Sequence, residues 1–153
     1  MRSVNTILNQ NDERNKNDTQ MIQLRPVNDT DIKFLYDILL ERDKVVSISH
    51  KSTPSWISHS CFVKSFPYYT WDMIIVNGDR VGYIYITHYN EIGIHICKKY
   101  RRRGIASQAI EIYKSIHNRE RYLANINPNN KASINLFTLL GFTHIQNTYE
   151  LCR

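Results

Sequence analysis

Cysteine is scarce in this sequence and poorly placed for chemistry. Cys61, Cys97 and Cys152 form no Cys-x-x-Cys and sit at no metal-binding spacing from a histidine. An odd, scattered set of this kind argues against a disulfide framework and a structural zinc, and reads as reduced thiols in a cytoplasmic protein. Long apolar runs are also missing, and nothing approaches the roughly 20 residues that a membrane span needs. The first residues lack the apolar stretch of a secretory signal. No Gly-Lys-Ser/Thr is present, and the one glycine of the basic run lacks the partner glycine of Gly-x-Gly-x-x-Gly. A Walker loop and a dinucleotide fingerprint are thereby excluded.

At 153 residues the chain suits one compact domain. Twenty basic against fourteen acidic residues give a net charge of +6, which favours anionic partners without naming one. Residues 1–20 are rich in asparagine and charge, with only Val4, Ile7 and Leu8 clearly apolar. Such a segment buries too little to offset its ordering entropy, so it is expected to be a disordered tail ahead of a domain over 21–153.

The domain alternates helical and strand patterns. "MIQLRPV" reads as a first strand, and "NDT" caps a helix with Ile32, Leu35, Tyr36 and Leu39 on one face. Ser52 or Thr53 can cap a second helix with Pro54 in its first turn, running through Trp56, Val63 and Phe66. "WDMIIV" and "RVGYIYI" flank Asn77-Gly78, the strongest short hairpin signal. "EIGIHI" follows a turn at Tyr89-Asn90. A third helix places Ile105, Ala109, Ile112, Tyr113 and Ile116 inward. "RYLANI" reads as a strand, "NPNNKASINLFTLLGF" as a helix stopped by Gly141, and "THIQ" with "YELC" as a closing pair. The order is α/β with a mixed sheet.

Between "EIGIHI" and the third helix lies "KKYRRRGIAS", with five cations in the six positions from Lys98 to Arg103. Small residues at Gly104 and Ala106, where a loop opens a helix, let amides from Arg102 to Ser107 converge on one point. The helix dipole adds positive potential, which suits phosphate or pyrophosphate. An ordinary basic helix start has the same composition. A nucleic-acid patch is less favoured, because the cations form one cluster without interleaved aromatics.

The spacing Arg101-x-x-Gly104-x-Ala106 resembles the Arg/Gln-x-x-Gly-x-Gly/Ala signature of the GNAT acyl-CoA N-acyltransferases. Downstream, Asn130-x-x-Ser133-Ile134-x-Leu136-Phe137-x-x-x-Gly141-Phe142 is similar to the family's second signature, Asn-x-x-Ser/Ala-Ile-x-Leu-Tyr-x-x-x-Gly-Phe. The resemblance covers 21–153. It implies a mixed, mostly antiparallel sheet of about seven strands flanked by about four helices, and acetyl transfer from acetyl-CoA to an amine without a metal. It further implies a pyrophosphate site on Arg101, Arg102, Arg103, Gly104, Ile105, Ala106 and Ser107. The pantetheine arm would pair with the Ile94-His95-Ile96 backbone, which also supplies an oxyanion donor. Asn130, Ser133 and Phe137 would form the opposite wall.

Two positions depart from the family pattern. A tyrosine that many members use as general acid is Phe137 here, and a glutamate that some use as base is Asn125. A proton acceptor must therefore come from elsewhere. Alternation along "EIGIHI" puts Glu91, Gly93 and His95 on one face and the isoleucines on the other. Glu91 is the first choice as base, His95 the second, and Tyr149 a stand-in for the acid. His50, His59, Tyr68, Tyr69 and Trp71 lie where this fold usually shapes its acceptor site. The stretch Thr53 to Phe62 faintly resembles sugar-nucleotide acetyltransferases.

Three function classes stay open at this point. One is an N-acetyltransferase acting on an amino-sugar nucleotide, a protein N-terminus or a small amine. The others are a degenerate acyl-CoA binder and a nucleic-acid-directed acyltransferase, as a monomer or a homodimer.

Overall fold

The computed structural model describes residues 21–43 and 52–151. The expected tail over 1–20, His50 and Cys152 lie outside these residues. Four strands, β1 (Ile22–Pro26), β2 (Thr70–Val76), β3 (Asp79–Ile86) and β4 (Ile92–Ile96), form one antiparallel sheet in the order β1-β2-β3-β4. Helices α1 (Ile32–Glu41) and α2 (Trp56–Lys64) separate β1 from β2. Helices α3 (Ile105–Ile116) and α4 (Lys131–Leu139) follow β4.

The β2–β3 hairpin turns on Asn77 and Gly78, both left-handed at φ 50° and 87°. Two successive positive φ values give the turn whose twist matches paired strands, and glycine tolerates the second at no steric cost. The Asn90 turn into β4 is also left-handed.

The two sheet faces bury different cores. Ile74, Ile84, Ile86, Ile92 and Ile96 pack with Ile105, Ala109, Ile110 and Tyr113 of α3. On the opposite face, Met73 packs with Val27, Ile32 and Leu35 and with Val63 of α2. In α3 the buried stripe takes Ile110 rather than Ile116, which is exposed. In α1 it runs Ile32, Leu35, Ile38, with Tyr36 and Leu39 only half-buried.

Buried Asp31 ties the first strand to the first helix. Its carboxylate accepts two 2.7 Å bonds from Arg25 and one of 3.0 Å from the Asn28 amide, with Arg80 Nε at 3.4 Å. Burial alone would push this carboxyl up. The Arg25 and Asn28 bonds and the two arginine charges outweigh it, and hold the group below its ordinary value.

Four expectations need correction. The described residues form an antiparallel sheet of four strands, not a mixed one of about seven. In 121–126 the alternation is real, since Tyr122, Ala124 and Ile126 pack on the α3 core, but only one rung forms, a parallel bridge from Leu123 to Glu91. In 143–151 no strand forms. Ile145, Tyr149 and Leu151 are all exposed, and without a buried face nothing fixes a register. The α2 cap is Ser55, whose Oγ accepts from Ser58 N, so Pro54 precedes the helix and Phe66 lies beyond it. Several cap-competent residues stand in a row there, and the one next to the apolar run wins.

Candidate active site

β4 is the edge of the sheet, and its outer side is covered at one end only. Ile92 N donates to Leu123 O at 2.8 Å, and Leu123 N to Asn90 O at 2.9 Å. Past that bridge the two chains part. Cys97 N donates inward to Val81 O, and β3 pairs with β4 through Tyr85↔Gly93 and Tyr83↔His95. Alternation then turns the amides of Ile94 and Ile96 outward, onto the open edge. Of the Ile94-His95-Ile96 trio, these two are the free donors, and His95 N faces β3. At the far end Arg101 Nε donates to Ile96 O at 2.9 Å, which ties the basic loop to the strand.

The loop is bent by two left-handed residues, Arg102 at φ 63° and Gly104 at φ 72°. Gly104 is the N-cap of α3, and the first helical amide that finds a carbonyl is Gln108 N, on Gly104 O. The amides of Ile105, Ala106 and Ser107 stand ahead of it at the positive end of the helix. Arg103 donates to Lys99 O and lies over the Tyr100 ring with Lys99, so part of the cation cluster braces the loop itself. The Ser107 hydroxyl donates back to Gly104 O.

Asn130 caps α4, accepting from Ser133 N at 3.1 Å through its side-chain oxygen. Its amide nitrogen stays available. Phe137 is 5 % exposed and edge-on to Phe142 at 5.0 Å, so its ring belongs to the core behind α4.

Glu91, just ahead of β4, has both carboxylate oxygens anchored. Thr87 Oγ1 donates to Oε2 at 3.0 Å and Asn125 Nδ2 to Oε1 at 2.8 Å. The asparagine at the place of the family glutamate therefore holds the glutamate that is present. His95 is half-buried and stacked on Tyr83. Burial, then the charges of Arg101, Arg42 and Lys98, push its pKa down to about 3. Its Nε2 has no hydrogen-bond partner, and Glu41 Oε1 at 3.7 Å faces a neutral ring. A nitrogen so reluctant to take a proton is a poor base.

The structure does not bring Tyr149 into this arrangement. It is 90 % exposed in the segment after α4, which forms no strand. His59 is buried with Nε2 3.0 Å from Ile32 O, a tie between α1 and α2. Tyr69 is exposed and meets Arg119 and His88. Tyr68 and Trp71 join an aromatic surface that the sequence reading missed in its centre. Tyr68 stacks on Tyr85 at 3.9 Å, Tyr85 on Tyr83 at 6.3 Å, and Tyr83 on His95 at 5.8 Å. Gly93 was the available signal, since a glycine inside a strand marks close approach by something large. A Cβ there would fall 2.2 Å from Tyr85 Cζ.

Two surface hollows lie elsewhere, one beside Arg25 and Arg80, the other between α1 and α2 around Lys33 and Trp56. Neither is lined by Glu91, His95 or the Gly104 loop. Among the described residues no helix is long and apolar enough to cross a membrane.

Solved structures with this fold include a domain from Methanocaldococcus jannaschii, at TM-score 0.74 and 23% identity over 86% of this chain and 94% of that one. A spermidine N-acetyltransferase from Vibrio cholerae matches at TM-score 0.65 and 16% identity, over 82% and 81%. The RimL ribosomal L7/L12 alpha-N-protein acetyltransferase in complex with coenzyme A matches at 0.64 and 18%, over 80% of each chain. No curated protein sequence matches. The family model for the acetyltransferase (GNAT) domain matches residues 22–143. With both signatures, the open β4 edge and the Gly104 loop inside that span, the chain belongs to the GNAT acetyltransferases.

Proposed function

We propose that this chain moves an acetyl group from acetyl-CoA to a primary amine by direct attack. The observation that carries the reading is the β4 edge, open past the Glu91–Leu123 bridge and leading through Arg101 to the amides at the start of α3. Two sets of open donors, the outward amides of β4 and the first amides of α3, suit a ligand with an amide-bearing arm and a pyrophosphate head.

In this reading Ile105, Ala106 and Ser107 amides hold the pyrophosphate, with Arg101, Arg102 and Arg103 lending charge at the rim. Ile94 and Ile96 pair with the arm, and the Ile94 amide meets the thioester oxygen as it becomes an oxyanion. The Asn130 amide nitrogen reaches the arm from the α4 side. Glu91 takes the proton that the attacking amine sheds, while Thr87 and Asn125 keep its carboxylate in place. The acceptor class is an amine such as an amino-sugar nucleotide, a protein N-terminus or a small amine. The relatives named for spermidine and for a ribosomal protein's α-amine support that class.

Glu91→Gln keeps shape and removes basicity. Turnover should fall about a hundredfold or more, with the stabilisation by acetyl-CoA unchanged. Turnover is read as CoA released to a panel of spermidine, peptide N-termini and amino-sugar nucleotides. A wild-type chain that gains no thermal stability from acetyl-CoA would overturn the proposal. One that binds acetyl-CoA yet releases CoA to none of these amines would be a binding protein instead.

A further inference from the structure

The reaction leaves a thiolate, and the helix residue that would protonate it in many relatives is a phenylalanine in the core here. A different phenol stands closer to the open edge. Tyr85 lies on β3 directly across from Gly93 of β4. Its ring folds over that glycine so closely that a Cβ at Gly93 would fall 2.2 Å from Cζ and 2.4 Å from the hydroxyl oxygen. The hydroxyl thus crosses β4 beside the residue whose neighbour, Ile94, offers its amide to the thioester. Gly93 shares its face with Glu91, so acid and base candidates stand side by side.

The surroundings of Tyr85 suit a phenol that gives up a proton transiently. Tyr68 stacks on it at 3.9 Å with rings 10° apart. Burial raises the phenol above its ordinary value, and Glu91 adds to the rise. The hydroxyl therefore stays protonated at working pH. Arg42 and the neighbouring Tyr68 hydroxyl pull the other way and would stabilise the anion once formed.

Resting on the reading of the β4 edge as the reaction centre, we propose that Tyr85 is the catalytic acid that protonates the leaving sulfur. As the amine nitrogen bonds to the acetyl carbon and the carbon–sulfur bond breaks, the electron pair of that bond stays on sulfur. Sulfur takes the Tyr85 proton. Glu91 takes the proton shed by nitrogen and returns it to the Tyr85 phenolate, so amide and free thiol are the only products. Carboxylic acids are stronger acids than thiols by roughly four pKa units, so the net transfer from carboxyl to sulfur runs downhill.

The test uses the full chain, acetyl-CoA, and hydroxylamine as a small neutral nucleophile that needs no acceptor pocket. Tyr85→Phe keeps the stack and the cover over Gly93. It should lower kcat for CoA release about a hundredfold, with KM for acetyl-CoA and the thermal shift by CoA unchanged. Tyr68→Phe removes the polar hydroxyl stacked beside the phenolate and should cost less, about tenfold. Gly93→Ala moves the hydroxyl without deleting it and should lower kcat in the same way as Tyr85→Phe. Equal kcat in wild type and Tyr85→Phe, both stabilised by CoA, overturns the acid role and leaves the acetyl-CoA site standing. No stabilisation by CoA in either chain overturns both.

Discussion

Gly104 carries the sharpest test of the pyrophosphate loop, because the cost to the fold and the cost to binding separate there. Its φ of 72° lies in the left-handed region, and a Cβ would meet nothing nearer than Gln108 Nε2 at 3.5 Å. The Cβ that Gly104→Val adds therefore meets only ordinary van der Waals contact. Its cost is conformational, about 2 kcal/mol for a β-branched side chain held left-handed. At about 3 °C per kcal/mol for a chain of this length, Tm should fall by about 6 °C, well short of unfolding a domain of ordinary stability. The added methyls stand in the open space before the α3 amides, where a phosphate must come within about 3 Å. Wild type at a hundredfold excess of acetyl-CoA over its dissociation constant should gain about 2.7 kcal/mol. The variant should gain nothing. Thermal melts with and without acetyl-CoA read both effects. Gly78→Val is the control, since Gly78 has φ 87° and open space but sits at the hairpin turn. It should lose similar stability and keep the full ligand shift. A Gly104→Val chain that keeps the wild-type shift would refute the loop assignment.

Asp31→Asn breaks the buried pair with Arg25 and Arg80. Loss of one partner in such a pair costs about 3–5 kcal/mol when fully buried. With the arginine side chains 35% and 38% exposed, about 2 kcal/mol is expected. The folded carboxyl lies below its unfolded value near 3.9, so its contribution is full above about pH 4 and is lost as pH falls through the folded value. Urea melts should separate wild type and variant at pH 7 and bring them together in strong acid, and a constant gap at all pH values would show the charge to be irrelevant. Removal of Met1–Gln20 should leave Tm and the acetyl-CoA shift unchanged, because the composition there offers little to bury. Loss of either on truncation would give that segment a structural role.

Some of this was legible in the residues alone and some could not be. Asn77-Gly78 and Gly104 were readable because each backbone conformation is one that few side chains tolerate, so composition reports geometry directly. The alternation that put Glu91, Gly93 and His95 on one face was readable for the same local reason. The closing pair was not, since "THIQ" and "YEL" show alternation but the structure gives them no face to bury. Tyr85 was out of reach for a different reason. Its place over Gly93 depends on the β3–β4 register, and the position of a partner strand is not written in either strand's own pattern. Asn125 looked like an empty substitution, and only the contact with Glu91 shows what the amide does.

The open edge of β4 has a cost outside catalysis. Unpaired amides and carbonyls along an edge strand invite another chain to add its own strand, the first step of edge-to-edge association. Here the exposed cations from Lys98 to Arg103 flank that edge, and charge repulsion between two such clusters hinders a second copy from docking face to face. Salt weakens this guard, because exposed charges are screened over about 8–10 Å at physiological ionic strength. A ligand lying along the edge would close it physically. The same groove thus makes colloidal behaviour depend on occupancy, with the empty chain prone to associate as salt rises and the loaded chain protected.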